Sequence, residues 1–154
     1  MRIGLISDTH GLIRPSAIAA LQGADLILHA GDVGGRRVLA ELRRLAPVRA
    51  VCGNVDDPHD PDLEPAIDTE AGGTSIHVSH GHELGSPTPA KLLARYSADI
   101  IIYGHTHRAD LHRAGPRLVV NPGAAGPARF HLKPSLALLT VSGGEAEVRL
   151  VTLE

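Results

Sequence analysis

The sequence predicts an α/β fold with parallel, largely buried strands. Three observations predict it. Short unbroken apolar runs recur along the chain, as in strands covered on both faces. Segments of helical period separate the first three runs, which is the alternation of βαβ units. Five of the runs end in residues with carboxylate, amide or imidazole groups.

The elements follow in order. Ile3–Ile6 reads as a buried strand, and Pro15–Gln22 as a short helix with proline in its first turn. Asp25–His29 is a second strand. Gly35–Leu45 is a helix, because Val38, Leu42 and Leu45 recur at helical spacing among arginines and Pro47 stops it. Val48–Val51 is a third strand. The polar stretch Asp56–Asp62 is a loop. Pro65–Thr69 and Thr74–Ser79 are strands joined at Ala71-Gly72-Gly73. Thr88–Tyr96 is a helix with Thr88 as N-cap and Pro89 at its first position. Asp99–Tyr103 is a further buried strand. From Arg117 onward the pattern is strand and turn: Leu118–Val120, Leu136–Val141 and Ala146–Leu153, with a hairpin turn at Gly143-Gly144.

A length of 154 residues suits one domain spanning the chain. Phe130, Tyr96 and Tyr103 are the only aromatic residues, so the core must be aliphatic. A net charge of −2 gives no footprint for nucleic acid or an anionic membrane. Cys52 is alone, which removes a disulfide framework and a multi-thiolate zinc site. Arg2 leads straight into Ile3–Ile6, a run too short for a signal segment, and no stretch approaches the length of a membrane span. These features predict a soluble, cytoplasmic protein.

The chemistry collects at strand ends. The five junctions are Ser7-Asp8-Thr9-His10, His29-Ala30-Gly31-Asp32, Cys52-Gly53-Asn54, Ser79-His80-Gly81-His82 and Gly104-His105-Thr106-His107. Each alone is an ordinary polar turn. Five in succession are not, because parallel strands bring their carboxyl ends to one edge, where ligands bind. Carboxylate, amide and imidazole donors suit manganese, iron, zinc or nickel. Asp32, between Gly31 and Gly34, is a candidate carboxylate bridge for a metal pair. In Gly104-His105-Thr106-His107 the one-residue spacing places both imidazoles toward the site if the segment stays extended, with Thr106 turned away. Gly104 would leave room there.

In this order the clusters resemble the calcineurin-like metallophosphoesterase superfamily, whose pattern runs D-x-H, GD, GN, HG and GHxH. Asn121-Pro122-Gly123 extends the likeness, with Ala124 where related proteins usually carry serine. The short chain and the GNxD form are similar to the small bacterial and archaeal phosphodiesterases. The resemblance implies a four-layer αββα sandwich of two mixed β-sheets flanked by helices. It implies two divalent metal ions, manganese first, with nickel, iron or zinc also suited. Asp8, His10, Asp32 and His107 would hold the first ion, and Asp32, Asn54, His80 and His105 the second. A hydroxide shared by the two ions would attack a phosphodiester in line.

Asp32, Asn54 and His82 are the catalytic candidates. Many members have GNHE, but here Val55 takes the histidine position, which leaves His82 or a metal-bound water to protonate the leaving group. Asp56 is read as orienting Asn54 or His10, or as a solvated loop acid. Cys52 is read as a small strand-end hydrophobe, and His29 as core or support for the site. The implied partner is a small-molecule phosphodiester, with no membrane and no nucleic acid; a homo-oligomer is left open. Substrate choice would lie in the loops Asp56–Asp62 and Glu83–Pro89. The alternatives are a phosphomonoesterase or nucleotidase on the same metals, or a protein-interaction scaffold like a eukaryotic retromer subunit of this fold. All seven ligand positions are filled, which favours catalysis over the scaffold.

Overall fold

Successive side chains of the buried strands enter different cores, and this alternation builds the layers. The computed structural model describes residues 1–154. In the first half, β1 (Arg2–Ile6), β2 (Leu26–His29) and β3 (Val48–Ala50) run parallel, with Ile3 beside Leu26 and Ile27 beside Val48. α1 (Pro15–Leu21) and α2 (Arg36–Arg43) form the crossovers. Ile3 and Leu5 face inward, whereas Ile6 and Ile27 meet Ala17, Leu21, Leu39 and Leu42 of the two helices. Gly4 lets α1 close on the sheet, because a Cβ there would overlap Leu21.

The second sheet contains β4 (Ile67–Ala71), β5 (Thr74–Val78), β6 (Ile100–Ile102), β7 (Asp110–Ala114) and β8 (Arg117–Asn121). β5, β6 and β8 are parallel, and β4 and β7 lie antiparallel at the two edges, in the order β4-β5-β6-β8-β7. α3 (Pro89–Arg95) covers the outer face, where Leu92 packs with Ile101, Tyr103 and Val119. The Thr88 hydroxyl accepts the Lys91 N–H at 3.2 Å and caps α3, as its position predicts. The chain then returns to the first sheet with β9 (Ser135–Ser142) and β10 (Glu145–Thr152), giving the order β10-β9-β1-β2-β3.

The central core lies between the sheets. Ile3, Leu5 and Leu28 of one meet Ile76, Val78, Ile100, Ile102 and Val120 of the other. Truncating one of these large side chains to alanine would cost about 2–5 kcal/mol. The architecture is the predicted αββα sandwich, and both sheets are mixed.

Two elements depart from the sequence reading. β7 is an additional edge strand, and the residues after Gly81 form a 3-10 turn at His82–Leu84. β7 pairs only with β8 and alternates weakly, so periodicity does not reveal it. No helix is long and apolar enough to cross a membrane.

Candidate metal centre

The five strand ends meet where the carboxyl edges of the two sheets adjoin: a Cβ on Gly31 would press on His80, and one on Gly104 on Ser7 and Asp8. β1, β2 and β3 deliver their junctions from one sheet, and β5 and β6 from the other. Most of these junctions turn back sharply. Seven residues other than glycine have positive φ; five are Asp8 (53°), His10 (45°), Asp32 (54°), His105 (72°) and His107 (62°). Asp and His tolerate this region better than most residues, yet such positions cost roughly 1–3 kcal/mol each and cluster at functional sites. The condition of an extended Gly104–His107 segment is therefore not met. Left-handed turns at both histidines aim the imidazoles.

The loops are tied together before any ligand is considered. Asp8 N–H donates to Gly31 O and His10 N–H to Asp32 O, both at 3.0 Å. The Thr9 hydroxyl donates to Val33 O at 2.8 Å and meets His29 Nε2 at 2.9 Å. Gly31 N–H donates to His29 Nδ1 at 3.1 Å, so the proton of the neutral ring sits on Nε2 and points to Thr9. Full burial lowers the pKa of His29 to about 4, which keeps it neutral. His29 thus supports the loops, one of the two roles read from sequence.

Asp56 is not a solvated acid. Its carboxylate accepts Val33 N–H at 3.0 Å, Gly34 N–H at 3.2 Å and Gly53 N–H at 2.9 Å, joining the loop after β2 to the loop after β3. The two loops lie so close that a Cβ on Gly53 would overlap Asp32. Asn121 fixes the histidine turn by donating to Gly104 O at 3.2 Å and Thr106 Oγ at 3.0 Å. A Cβ on Gly104 would fall 2.6 Å from Asp8 Oδ2, so glycine leaves the predicted room. Asp8 Oδ2 is occupied instead by the Ser7 hydroxyl at 2.7 Å and His105 N–H at 3.1 Å.

What remains is a set of buried polar atoms without hydrogen-bond partners: Asp8 Oδ1, His10 Nε2 and His80 Nε2. His80 Nδ1 donates to Ala30 O at 2.8 Å, which turns Nε2 toward Asp32 Oδ2 at 3.2 Å and Asp8 Oδ1 at 3.9 Å. In a neutral ring this sets a lone pair against carboxylate oxygens, an arrangement that needs a proton or a cation. Asp8 Oδ1 lies 3.4 Å from His107 Nε2 and 3.8 Å from His10 Nε2. His10 Nε2 is 3.7 Å from Asp32 Oδ2, which therefore sits between His10 and His80. Neighbouring ligands on one cation, with bonds of about 2.1 Å, lie about 3 Å apart. Asp8, His10 and His107 form one group of metal-competent atoms, and Asp8, Asp32 and His80 another. The donors fit divalent cations.

The electrostatics agree. Burial works against the charge of Asp32, but His80 and the Val55 N–H outweigh it and bring the pKa to about 2. Burial likewise opposes protonation of His80, but Asp32 and Asp8 leave its pKa raised. Burial lowers His10 despite Asp32 and Asp8, and burial with the His80 charge lowers His105.

The remaining predicted residues lie on the open side. Asn54 Oδ1 is 3.1 Å from His105 Nδ1, a spacing suited to adjacent ligands. His82 is exposed on the 3-10 turn, its ring 5.4 Å from His80 and 6.4 Å from His105. Burial and the surrounding carboxylates raise the Cys52 thiol pKa, which disfavours the thiolate and agrees with its reading as a small strand-end hydrophobe. On the opposite rim, the exposed Phe130 ring stands 5.9 Å from His107, and the Arg129 charge reaches His10. No motif marks these two residues in the sequence.

The family model for the calcineurin-like phosphoesterase superfamily domain matches residues 1–144. The chain belongs to that superfamily. A probable metallophosphoesterase of Methanothermobacter thermautotrophicus is 31% identical over 98% of this chain and 92% of its own length. A phosphodiesterase of Methanocaldococcus jannaschii is 30% identical, covering 80% of this chain and 83% of that protein. Among solved structures, Vps29 of Chaetomium thermophilum superposes with a TM-score of 0.82 at 23% identity, covering 100% of both chains, and shares the fold. The superfamily is divalent-metal dependent, in agreement with the clustered donors.

Proposed function

We propose that this calcineurin-like phosphoesterase hydrolyses small-molecule phosphodiesters with two divalent metal ions, manganese first among them. The observation that carries the reading is that Asp8 Oδ1, His10 Nε2 and His80 Nε2 are buried without hydrogen-bond partners, with both imidazoles facing Asp8 Oδ1 and Asp32 Oδ2. Asp8, His10, Asp32 and His107 would hold one ion, and Asp32, Asn54, His80 and His105 the other, with Asp32 common to both sets. When bound, the ions acidify water and neutralise charge on the phosphoryl oxygens.

The chain's own residues do the rest. Asp56 and His29 hold the loops in register, so the ligands are placed before substrate arrives. Asn54, at the open edge, orients the phosphoryl group. His82 stands at the mouth and delivers a proton to the leaving oxygen. Burial of Asp8 and Asp32 keeps bulk water from their carboxylates. Binding of an extended polyanion gets no help from a net charge of −2.

Manganese-loaded protein should hydrolyse bis(4-nitrophenyl) phosphate and stop on chelation. Full activity in both Asp32→Ala and His105→Ala would sink the mechanism. Faster turnover of 4-nitrophenyl phosphate than of the diester would favour the monoesterase alternative. The Vps29 likeness keeps the scaffold reading in view; less than one divalent ion per chain after dialysis would support it.

A further inference from the structure

A cavity of about 460 Å³ opens beside Asn54 and His82. Of the proposed metal donors it includes only Asn54, so a group on phosphorus has room to extend into it. Cys52 and Pro65 form an apolar part of its wall, and its far side carries Glu83 and Tyr96. That side is built rather than incidental. Glu83 Oε1 accepts Gly81 N–H at 2.8 Å, and Oε2 accepts the Tyr96 hydroxyl at 2.9 Å. Tyr96 stacks on His77 with ring centroids 3.7 Å apart, and His77 is anchored to Asp68 at 2.7 Å.

Burial pushes the Glu83 pKa up, but hydrogen bonds from the backbone and the Tyr96 hydroxyl outweigh it, so the carboxyl sits below its ordinary range and is an anion. Each of its oxygens has accepted one hydrogen bond from these partners and retains a lone pair. The other carboxylate of the cavity, Asp56, is occupied by three backbone N–H groups. No lysine or arginine lines the space. An anionic substituent therefore meets repulsion with no compensating cation, whereas an ammonium group finds a fixed, partly open carboxylate.

We propose that this cavity is a substrate subsite that takes an alcohol substituent bearing a protonated amine, with Glu83 as its recognition residue. The inference rests on the phosphodiester reading of the adjoining centre. It places specificity on the open side of the site, away from the buried ligands. Amino-alcohol phosphodiesters become the preferred class, neutral alkyl diesters follow, and diesters with a second anionic group come last.

The test measures binding rather than turnover. Calorimetry on manganese-loaded protein compares methyl 2-aminoethyl phosphate, methyl propyl phosphate and methyl carboxymethyl phosphate. The amine should bind about ten-fold or more tightly than the acid, with the alkyl diester between them. Glu83→Gln should abolish that ranking, and Tyr96→Phe, which leaves the carboxylate in place, should keep it. Equal affinities in the natural chain, or a ranking that survives Glu83→Gln in folded, metal-loaded protein, would overturn the subsite. Hydrolysis of bis(4-nitrophenyl) phosphate is measured in parallel. The ranking without hydrolysis leaves the subsite standing and removes the diesterase reading; hydrolysis without the ranking does the reverse.

Discussion

The two halves of the centre are built differently. Asp8, Asp32, His80 and His107 are buried, and their loops are bound to one another by backbone hydrogen bonds and by Asp56, His29 and Asn121. Asn54 and His82 are exposed, with few partners. The first half couples the chemistry to the fold itself, since its left-handed turns are held only by the surrounding structure. The second half couples the chemistry to whatever enters from solvent. The contrast predicts that changes in the buried half alter metal binding and stability together, whereas changes in the open half alter turnover and selectivity with little effect on folding.

The largest expected effect is at Asp32. Asp32→Ala should lower diesterase activity by about a thousand-fold or more, because in the proposed centre one carboxylate would serve both ions. Steady-state kinetics and metal analysis check it together; a variant that loses activity but binds metal normally would break the coupling.

Next comes Asp56. Asp56→Ala frees three backbone N–H groups and unties two loops. Metal affinity should fall about 10–100-fold, and stability by about 1–3 kcal/mol. Denaturant titration and calorimetry read both. An unchanged metal affinity would assign Asp56 to folding alone.

His29 gives a stability effect without touching metal. Its pKa is about 4 in the folded chain against 6.5 when free. The unfolded chain then binds the extra proton first, so this contribution is complete above pH 6.5 and is lost as pH falls toward 4. The gap is worth about 3 kcal/mol. The metal-free protein should melt at progressively lower temperature through that window, and His29→Gln should flatten the slope. Asp32, with its pKa near 2, adds a separate loss only at lower pH, as its carboxylate protonates.

The smallest effect is expected at His82. An aryl oxide leaves without much proton assistance, so His82→Ala should slow an aryl diester less than about ten-fold and an alkyl diester more. Equal slowing of both would deny His82 the role of acid.

This division also marks how far the sequence is legible. The strand ends can be read because polar metal donors interrupt apolar runs at five places, whereas the assignment of each donor to an ion comes only from the family resemblance their order carries. The layering is hidden from periodicity: Ile100, Ile101 and Ile102 look alike, yet Ile101 faces α3 while its neighbours face the other sheet. β7 is hidden because an edge strand needs no strong alternation. The left-handed turns are invisible because Asp and His, not glycine, adopt them. Asp56, Glu83 and Tyr96 act by holding backbone N–H or side-chain polar groups, and such contacts arise from tertiary placement rather than from a local pattern.

The separation of roles within Gly104-His105-Thr106-His107 tests the two-ion centre most directly. Manganese content after dialysis should be two ions per chain in the natural protein, one in His105→Ala, one in His107→Ala, and none in the double variant. A double variant that retains the same single ion as each single variant would show both histidines acting on one ion, and would contradict the centre described here.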